Sequence, residues 1–199
     1  MTERSDIGDY QPLTYFQLME VSLRELLVEK GIVSEQAVSD AVEDMRRRGP
    51  DTGARVVAKA WLDPDFKRLL LENGTRACEA MGIDVPATRL VVVENTPREH
   101  NVIVCTLCSC YPRMLLGIPP DWYKSRNYRA RVVREPRTVL AEFGLRIAED
   151  VTIRVHDSTA DMRYMVLPMR PAGSEGWDAA RLAATVSRDC MIGVAVPKL

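Results

Sequence analysis

Apolar positions recur at helical spacing from the start of residues 14–48. In "TYFQLMEVSLRELLVEKG", Phe16, Met19, Leu23, Leu26 and Leu27 share one face of a predicted helix. Gly31 is its predicted stop, and Ser34 the predicted cap of a second helix, "SEQAVSDAVEDMRRRG". That second helix is apolar only along a thin stripe: Ala37, Val38, Ala41, Val42 and Met45. A hairpin with so much polar surface either packs on its own domain or lies as an arm on a partner subunit, and the thin stripe favours the arm. Helix continues through residues 51–82. Asp63-Pro64 supplies a cap followed by proline at the first helical position. "DFKRLLLENG" then ends at Gly74 and "TRACEAMG" at Gly82. Cys78, among small residues, reads as a buried structural thiol.

At residue 88 the texture changes. "TRLVVVENT" and "HNVIVCT" are β-branched runs separated by Thr96, Pro97 and two charged residues, and both read as strands. A proline-rich turn, "GIPPDWYKS", leads into "NYRARVVREPRTVLAEFG", which Pro136 splits into two short helices. "DVTIRVHDS" and "MRYMVLPMR" read as strands with a hairpin turn around Asp157, Asp161 and Arg163, where polar side chains need no special role. A helix, "DAARLAATVS", and the apolar "CMIGVAVP" follow. The expected class is α+β: a helical N-terminal region or arm over residues 1–50, then a layered α/β domain over residues 51–199.

Composition narrows the function. A chain of 199 residues can bury one sizeable core or a compact domain plus an extension. With 27 basic and 28 acidic side chains, nothing electrostatic points to nucleic acid or an anionic membrane. "MTERSDIGDYQPL" has no apolar signal region, and no apolar run approaches the roughly 20 residues of a membrane span. The expected address is the cytoplasm, where thiols stay reduced. Three of the five cysteines fall within "VIVCTLCSCYPR", as Cys105, Cys108 and Cys110. In that compartment such a cluster points to metal or redox chemistry rather than a disulfide framework.

The spacing argues against the commonest metal sites, with only Cys78, Cys190, His100 and His156 left elsewhere as further ligands. Structural zinc takes four ligands, usually from two separated pairs, and iron–sulfur clusters also take four thiolates at other spacings. A redox Cys-x-x-Cys would open a helix, and the third cysteine and the following Tyr-Pro argue against it. Cys-x-x-Cys-Ser-Cys can instead fold as a claw around one ion. Three sulfurs and the deprotonated backbone nitrogens of Ser109 and Cys110 would make five ligands and leave one position open. A peptide N–H is a very weak acid, so only a strongly Lewis-acidic ion such as Co(III) or Fe(III) would displace its proton. Soft thiolates and an open position suit a catalytic transition metal. Ser109 adds a hydroxyl beside that position.

The motif "VCTLCSC" resembles the metal-binding motif of nitrile hydratase α subunits. The resemblance extends through "VVVENTPREHNVIVCTLCSCYP", "GIPPDWYKSRNYRARVVREPRTVLAEFG", "IRVHDSTADMRYMVLPMRPAGSEGW" and "RDCMIGVAVP", over essentially residues 14–197. It implies a plain thiolate at Cys105, a sulfinate at Cys108, a sulfenate at Cys110 and amide ligands from Ser109 and Cys110. It places Cys108, Ser109 and Cys110 at the reacting centre. Thr after the first cysteine, here Thr106, is the residue of the cobalt enzymes, so Co(III) is expected before Fe(III). The implied reaction is hydration of a nitrile to an amide, with water or the Cys110 sulfenate oxygen as nucleophile. The implied partners are a β-type subunit, whose arginines face the oxidised sulfurs, and an activator protein that loads cobalt.

One feature departs from that pattern. Typical nitrile hydratases carry Pro-Trp-Pro after "CSCY", whereas this chain has Pro112-Arg113-Met114. Pro-Arg here resembles thiocyanate hydrolase γ subunits and the three-component nitrile hydratases that act on nucleoside nitriles such as toyocamycin. Arg113 is therefore either a surface or subunit-contact arginine or the residue that reshapes the pocket. The alternative function is hydrolysis of thiocyanate to carbonyl sulfide and ammonia; a non-catalytic cobalt-binding protein is a third. Trp122 and Tyr123 are expected to pack the turn after the claw. Arg129, Arg131 and Arg134 are expected to pair with Glu135, Glu142 or a partner. His100 reads as a hydrogen-bonded structural histidine, Glu175 and Trp177 as features of the fold or an interface, and Cys190 as a buried apolar thiol.

Overall fold

A computed structural model of the chain describes residues 13–85, 88–108 and 110–199. The polar N-terminal stretch before residue 13 and the predicted ligand Ser109 lie outside them. The backbone divides into two compact units, one ending at Asp44 and the other running Met45–Leu199.

The first unit holds helix α1 (Tyr15–Glu29) and most of α2 (Glu35–Arg47). Thr14 and Gln17 close a reciprocal capping box at the start of α1, and Gly31 turns the chain at φ +65°. Ser34 Oγ accepts from the Ala37 N–H at 3.1 Å, as a cap does. The predicted apolar face of α1 is present but open. No residue of α1 is buried, and Phe16 is 78% exposed and Leu23 58%.

The second unit is built on α3 (Pro50–Leu62), which buries Gly53, Ala54, Val56, Val57, Ala58 and Ala60. Small residues let neighbouring elements approach. A Cβ at Gly53 would stand 2.6 Å from Met191 Sδ and 3.0 Å from the Leu115 carbonyl oxygen. Helix α4 (Pro64–Glu72) is capped by Asp63, as expected from Asp63-Pro64, and α5 (Gly74–Glu79) by Asn73. Gly74 thus opens a helix rather than closing one, because the side-chain oxygen of Asn73 takes the Arg76 N–H at 3.1 Å. Cys78 is fully buried there.

Four strands follow: β1 (Arg89–Glu94), β2 (Glu99–Val104), β3 (Thr152–Asp157) and β4 (Met162–Leu167). They form two parallel pairs, β1 with β4 and β2 with β3. The hairpin expected between β3 and β4 does not form. The backbone of β3 is taken by β2 and that of β4 by β1, so the link at 158–161 passes between two sheets. Parallel pairing requires a long crossover. Between β2 and β3 it carries α6 (Arg113–Leu116), α7 (Asp121–Lys124), α8 (Arg126–Arg131) and α9 (Pro136–Glu142), the last two divided at Pro136 as predicted. After β4, α10 (Ala179–Ala183) is followed by a further helix, α11 (Arg188–Ile192), where the sequence showed only an apolar run. Ser187 caps α11, which buries its own Cys190, Met191 and Ile192. Helices with small parallel sheets make the α+β fold that the sequence predicted.

Candidate metal centre

Crossover loops of parallel strands leave from the carboxyl ends, where open α/β folds place their sites. The cysteine cluster begins there. Strand β2 buries five of its six residues, His100–Val104, and Cys105, 1% exposed, continues it into the loop. The Sγ atoms of Cys105 and Cys108 lie 3.2 Å apart, and those of Cys108 and Cys110 3.1 Å. All three sulfurs fall within 4.8 Å of one another. A disulfide is about 2.05 Å long, so these are separate sulfurs. Two sulfurs each about 2.3 Å from one ion are about 3.3 Å apart at a right angle and about 3.8 Å apart at a tetrahedral one. The two short separations therefore match neighbouring positions of an octahedral ion. Among the described residues no other group of three or more His, Cys, Asp or Glu side chains converges in this way.

The surroundings explain how so short a loop holds this form. The Thr106 N–H donates to Asp157 Oδ1 at 2.9 Å and its hydroxyl to Asp157 Oδ2 at 2.6 Å. Arg129 Nη1 donates to the Thr106 carbonyl at 3.3 Å. The Cys108 N–H points at Cys105 Sγ, 3.2 Å away. At the far end, Tyr123 Oη donates to the Cys110 carbonyl at 3.0 Å, and Tyr128 Oη to the Ile103 carbonyl at 2.8 Å. Both rings are buried, and burial drives both phenols well above their ordinary range, so they remain donors.

Beside the loop lies a pocket of about 340 Å³ lined by Cys108, Cys110, Tyr111, Arg113 and Arg163. Burial and the neighbouring Cys108 push the Cys110 thiol up to about 12, and Arg163 pulls the other way. Arg163 is braced by the carbonyls of Thr159 and Ala160. The structure thus brings Cys105, Cys108, Cys110 and Arg113 together and places Arg163 with them. It also corrects the reading of 157–163 as a turn without a role, since Asp157 grips the claw and Arg163 lines the pocket. Sequence reasoning missed Asp157 because only parallel pairing, with Val104 opposite it, sets it beside the cysteines, and missed Arg163 because β4 pairs with β1 and not in a hairpin with β3.

Other expectations fall into place around the site. Arg131 pairs with Glu135 and Glu142, as predicted, while Arg134 Nε donates to the Ala130 carbonyl. His100 is structural: buried, it meets the Gly193 carbonyl at 2.7 Å and Asn95 Nδ2 at 3.3 Å. Cys190 is buried beside Ser187. Trp122 packs edge-on against Tyr128 and Phe143, and Arg181 stacks over Trp177 at 3.6 Å.

A family model described as "Nitrile hydratase, alpha chain" matches residues 14–195. The γ subunit of thiocyanate hydrolase from Thiobacillus thioparus is 48% identical over 195 residues, covering 92% of this chain and 80% of that relative. The α subunit of the low-molecular-weight cobalt-containing nitrile hydratase of Rhodococcus rhodochrous is 50% identical over 178 residues, covering 88% and 86%. Among solved structures, a recombinant thiocyanate hydrolase with partially modified cobalt centres superposes with a TM-score of 0.88 at 46% identity, covering 94% of this chain and 92% of the other. A variant of the Fe-type nitrile hydratase of Comamonas testosteroni Ni1 superposes equally well, at 47% identity and the same coverage.

Proposed function

Because this chain belongs to the nitrile hydratase α-chain family, we propose that it is the metal-bearing subunit of an enzyme that hydrates a nitrile to its amide. The observation that carries this reading is the convergence of three sulfurs, with Cys108 at an octahedral separation from each of the other two, beside a pocket that Cys108 and Cys110 line and that is large enough for a small substrate. Cys105, Cys108 and Cys110 supply the sulfur ligands, and the backbone nitrogens of Ser109 and Cys110 complete the set. Cobalt is the favoured ion, supported by Thr106 and by the cobalt-containing relatives, with iron as in the Fe-type neighbour second. When bound, such an ion acts as a Lewis acid that polarises a C≡N bond and makes water more acidic.

The protein's own groups do the rest. Cys108 and Cys110 hold sulfur oxygens as sulfinate and sulfenate, which withdraw electron density from the centre and can accept a proton from attacking water. Arg163, fixed by loop carbonyls, offsets negative charge at the Cys110 sulfur. A β-type partner closes the pocket and adds further donors; an activator protein delivers the metal; and the reaction is cytoplasmic. Among the described residues no helix is long and apolar enough to cross a membrane. Open apolar side chains on α1 support the arm reading for residues 1–50, against a catalytic domain over residues 51–199.

A second reading has its own support. Two guanidinium groups, Arg113 and Arg163, line the pocket, and the thiocyanate hydrolase γ subunit is about as similar as the nitrile hydratase α subunits. Cations suit an anionic substrate, so thiocyanate is the alternative. One experiment tests both: the chain is co-expressed with its neighbouring subunit genes and supplied with cobalt. Amide from a neutral nitrile, with no carbonyl sulfide from thiocyanate, supports the first reading; the converse supports the second. Peptide mass spectrometry of the active complex should find about three added oxygens on the 105–110 segment. Fully reduced thiols in an active sample would overturn the oxidised-sulfur assignment.

A further inference from the structure

Thr106 is held at every polar atom it owns. Its N–H and hydroxyl go to the two oxygens of Asp157, at 2.9 and 2.6 Å, and its carbonyl receives Arg129 at 3.3 Å. Both gripping residues stand on fixed supports. Asp157 ends β3 opposite Val104, and the next N–H, of Ser158, donates to the Val104 carbonyl at 2.7 Å. Arg129 follows Tyr128, whose hydroxyl holds the Ile103 carbonyl. Leu107, next in the loop, is 88% exposed. We infer that Asp157, with Arg129 in support, is a positioning residue that fixes the backbone at Thr106, directly after Cys105, before a metal arrives. The inference rests on the metal-centre reading above for its purpose, though not for its geometry.

The physical case is one of preorganisation. A loop of polar and small residues samples many backbone states, and ordering each residue costs conformational entropy. Bringing three thiolates together adds mutual repulsion until the ion neutralises it. A clasp that fixes the residue directly after Cys105 removes part of that ordering cost before the ion binds. The arrangement also gives the threonine a physical role. Its branched Cβ restricts χ1, so the hydroxyl stays aimed at the carboxylate, whereas serine keeps the donor but rotates more freely.

The test uses the full chain in complex with its partner subunits for metal uptake, and the metal-free full chain for loop order. In Asp157→Ala, amide hydrogen exchange at Thr106 and Leu107 should rise about tenfold or more, with protection of Val102–Val104 retained. Cobalt taken up from a limiting supply should fall by about half or more, and the sulfur-to-metal absorption band should broaden or shift. Thr106→Val, which keeps the N–H bond, should lie between the variant and wild type, and Thr106→Ser close to wild type. Should Asp157→Ala disturb the whole β2–β3 pair, the Thr106→Val and Thr106→Ser comparison decides instead. Unchanged exchange at Thr106 and Leu107, or unchanged cobalt uptake and absorption in both Asp157→Ala and Thr106→Val, would overturn the inference. A wild-type complex that takes up no cobalt sinks the metal reading instead, while the exchange measurement still decides whether the clasp exists.

Discussion

Arg113 brings a guanidinium to the pocket that holds Cys108 and Cys110, at the position where the resemblance leads one to expect tryptophan. A charge near the pocket mouth, partly in water, is worth on the order of 1–2 kcal/mol to a bound anion. Arg113→Gln should therefore lower kcat/KM for thiocyanate about tenfold while changing that for a neutral nitrile by less than about threefold. Equal changes for both substrates would assign Arg113 to the fold or to a subunit contact. Gly193 makes a different point at the same scale. Its φ is +94°, and a Cβ would stand 2.0 Å from the Asn101 carbonyl oxygen. Gly193→Ala should destabilise the chain by about 3 kcal/mol or more, read as a lowered midpoint in urea. Residue identity was legible where the chemistry is local. Cys105, Cys108 and Cys110 fall within six positions, so the clustering of their sulfurs could be read from spacing. Asp157 could not, since 51 positions separate it from Thr106 and only the strand register brings them together.

Strand β2 is tied to the end of α11 through a buried polar chain that the sequence did not reveal. Asn95 Oδ1 accepts from both the Asn101 N–H and Asn101 Nδ2, so Asn95 Nδ2 is left to donate to His100 Nδ1. That fixes the tautomer: His100 Nε2–H donates to the Gly193 carbonyl. His156 on β3 adds a bond from Nε2 to Asn101 Oδ1 at 2.7 Å. A proton on His100 Nδ1 would set donor against donor, and burial lowers the proton affinity of both histidines below the ordinary 6.5. The unfolded chain takes up these protons as pH falls below about 6.5, while the folded chain resists them. Stability is therefore complete above about pH 6.5 and declines as pH falls toward the lowered folded values. Urea midpoints for the metal-free chain should drop between pH 7 and pH 5.5, and less so in His100→Gln; a flat wild-type profile would contradict the account. The elements themselves were mostly legible, because caps such as Ser34 and Asp63 and the break at Pro136 act locally. The β3–β4 hairpin was misjudged because strand partners are chosen by tertiary burial, and α11 was missed because five residues, Arg188 and Asp189 followed by three apolar ones, are too few to show a helical period.

At the scale of the whole chain, the described core is contained in one of the two units. Every buried apolar residue among those described lies between Ala54 and Val194. The first unit offers the reverse: α1 carries Tyr15, Phe16, Leu18, Met19 and Leu23 at half exposure or more. Apolar faces of this kind are kept in soluble proteins chiefly where another surface covers them. If a partner subunit is that surface, removing residues 1–44 should leave the fold and weaken the assembly. The truncated chain should retain a cooperative thermal transition within a few degrees of the full chain's, because its core is untouched. Its affinity for the β-type subunit should fall at least tenfold, since burying even one or two large aromatic or aliphatic anchors is worth about 2 kcal/mol or more. Phe16→Ser with Leu23→Ser in the full-length chain should reproduce most of that loss without shortening it. Titration calorimetry or analytical ultracentrifugation of the mixed subunits reads the affinity directly. A truncated chain that no longer folds, or that gains no partner-binding defect, would place the covering surface within this chain and assign the hairpin to its own domain.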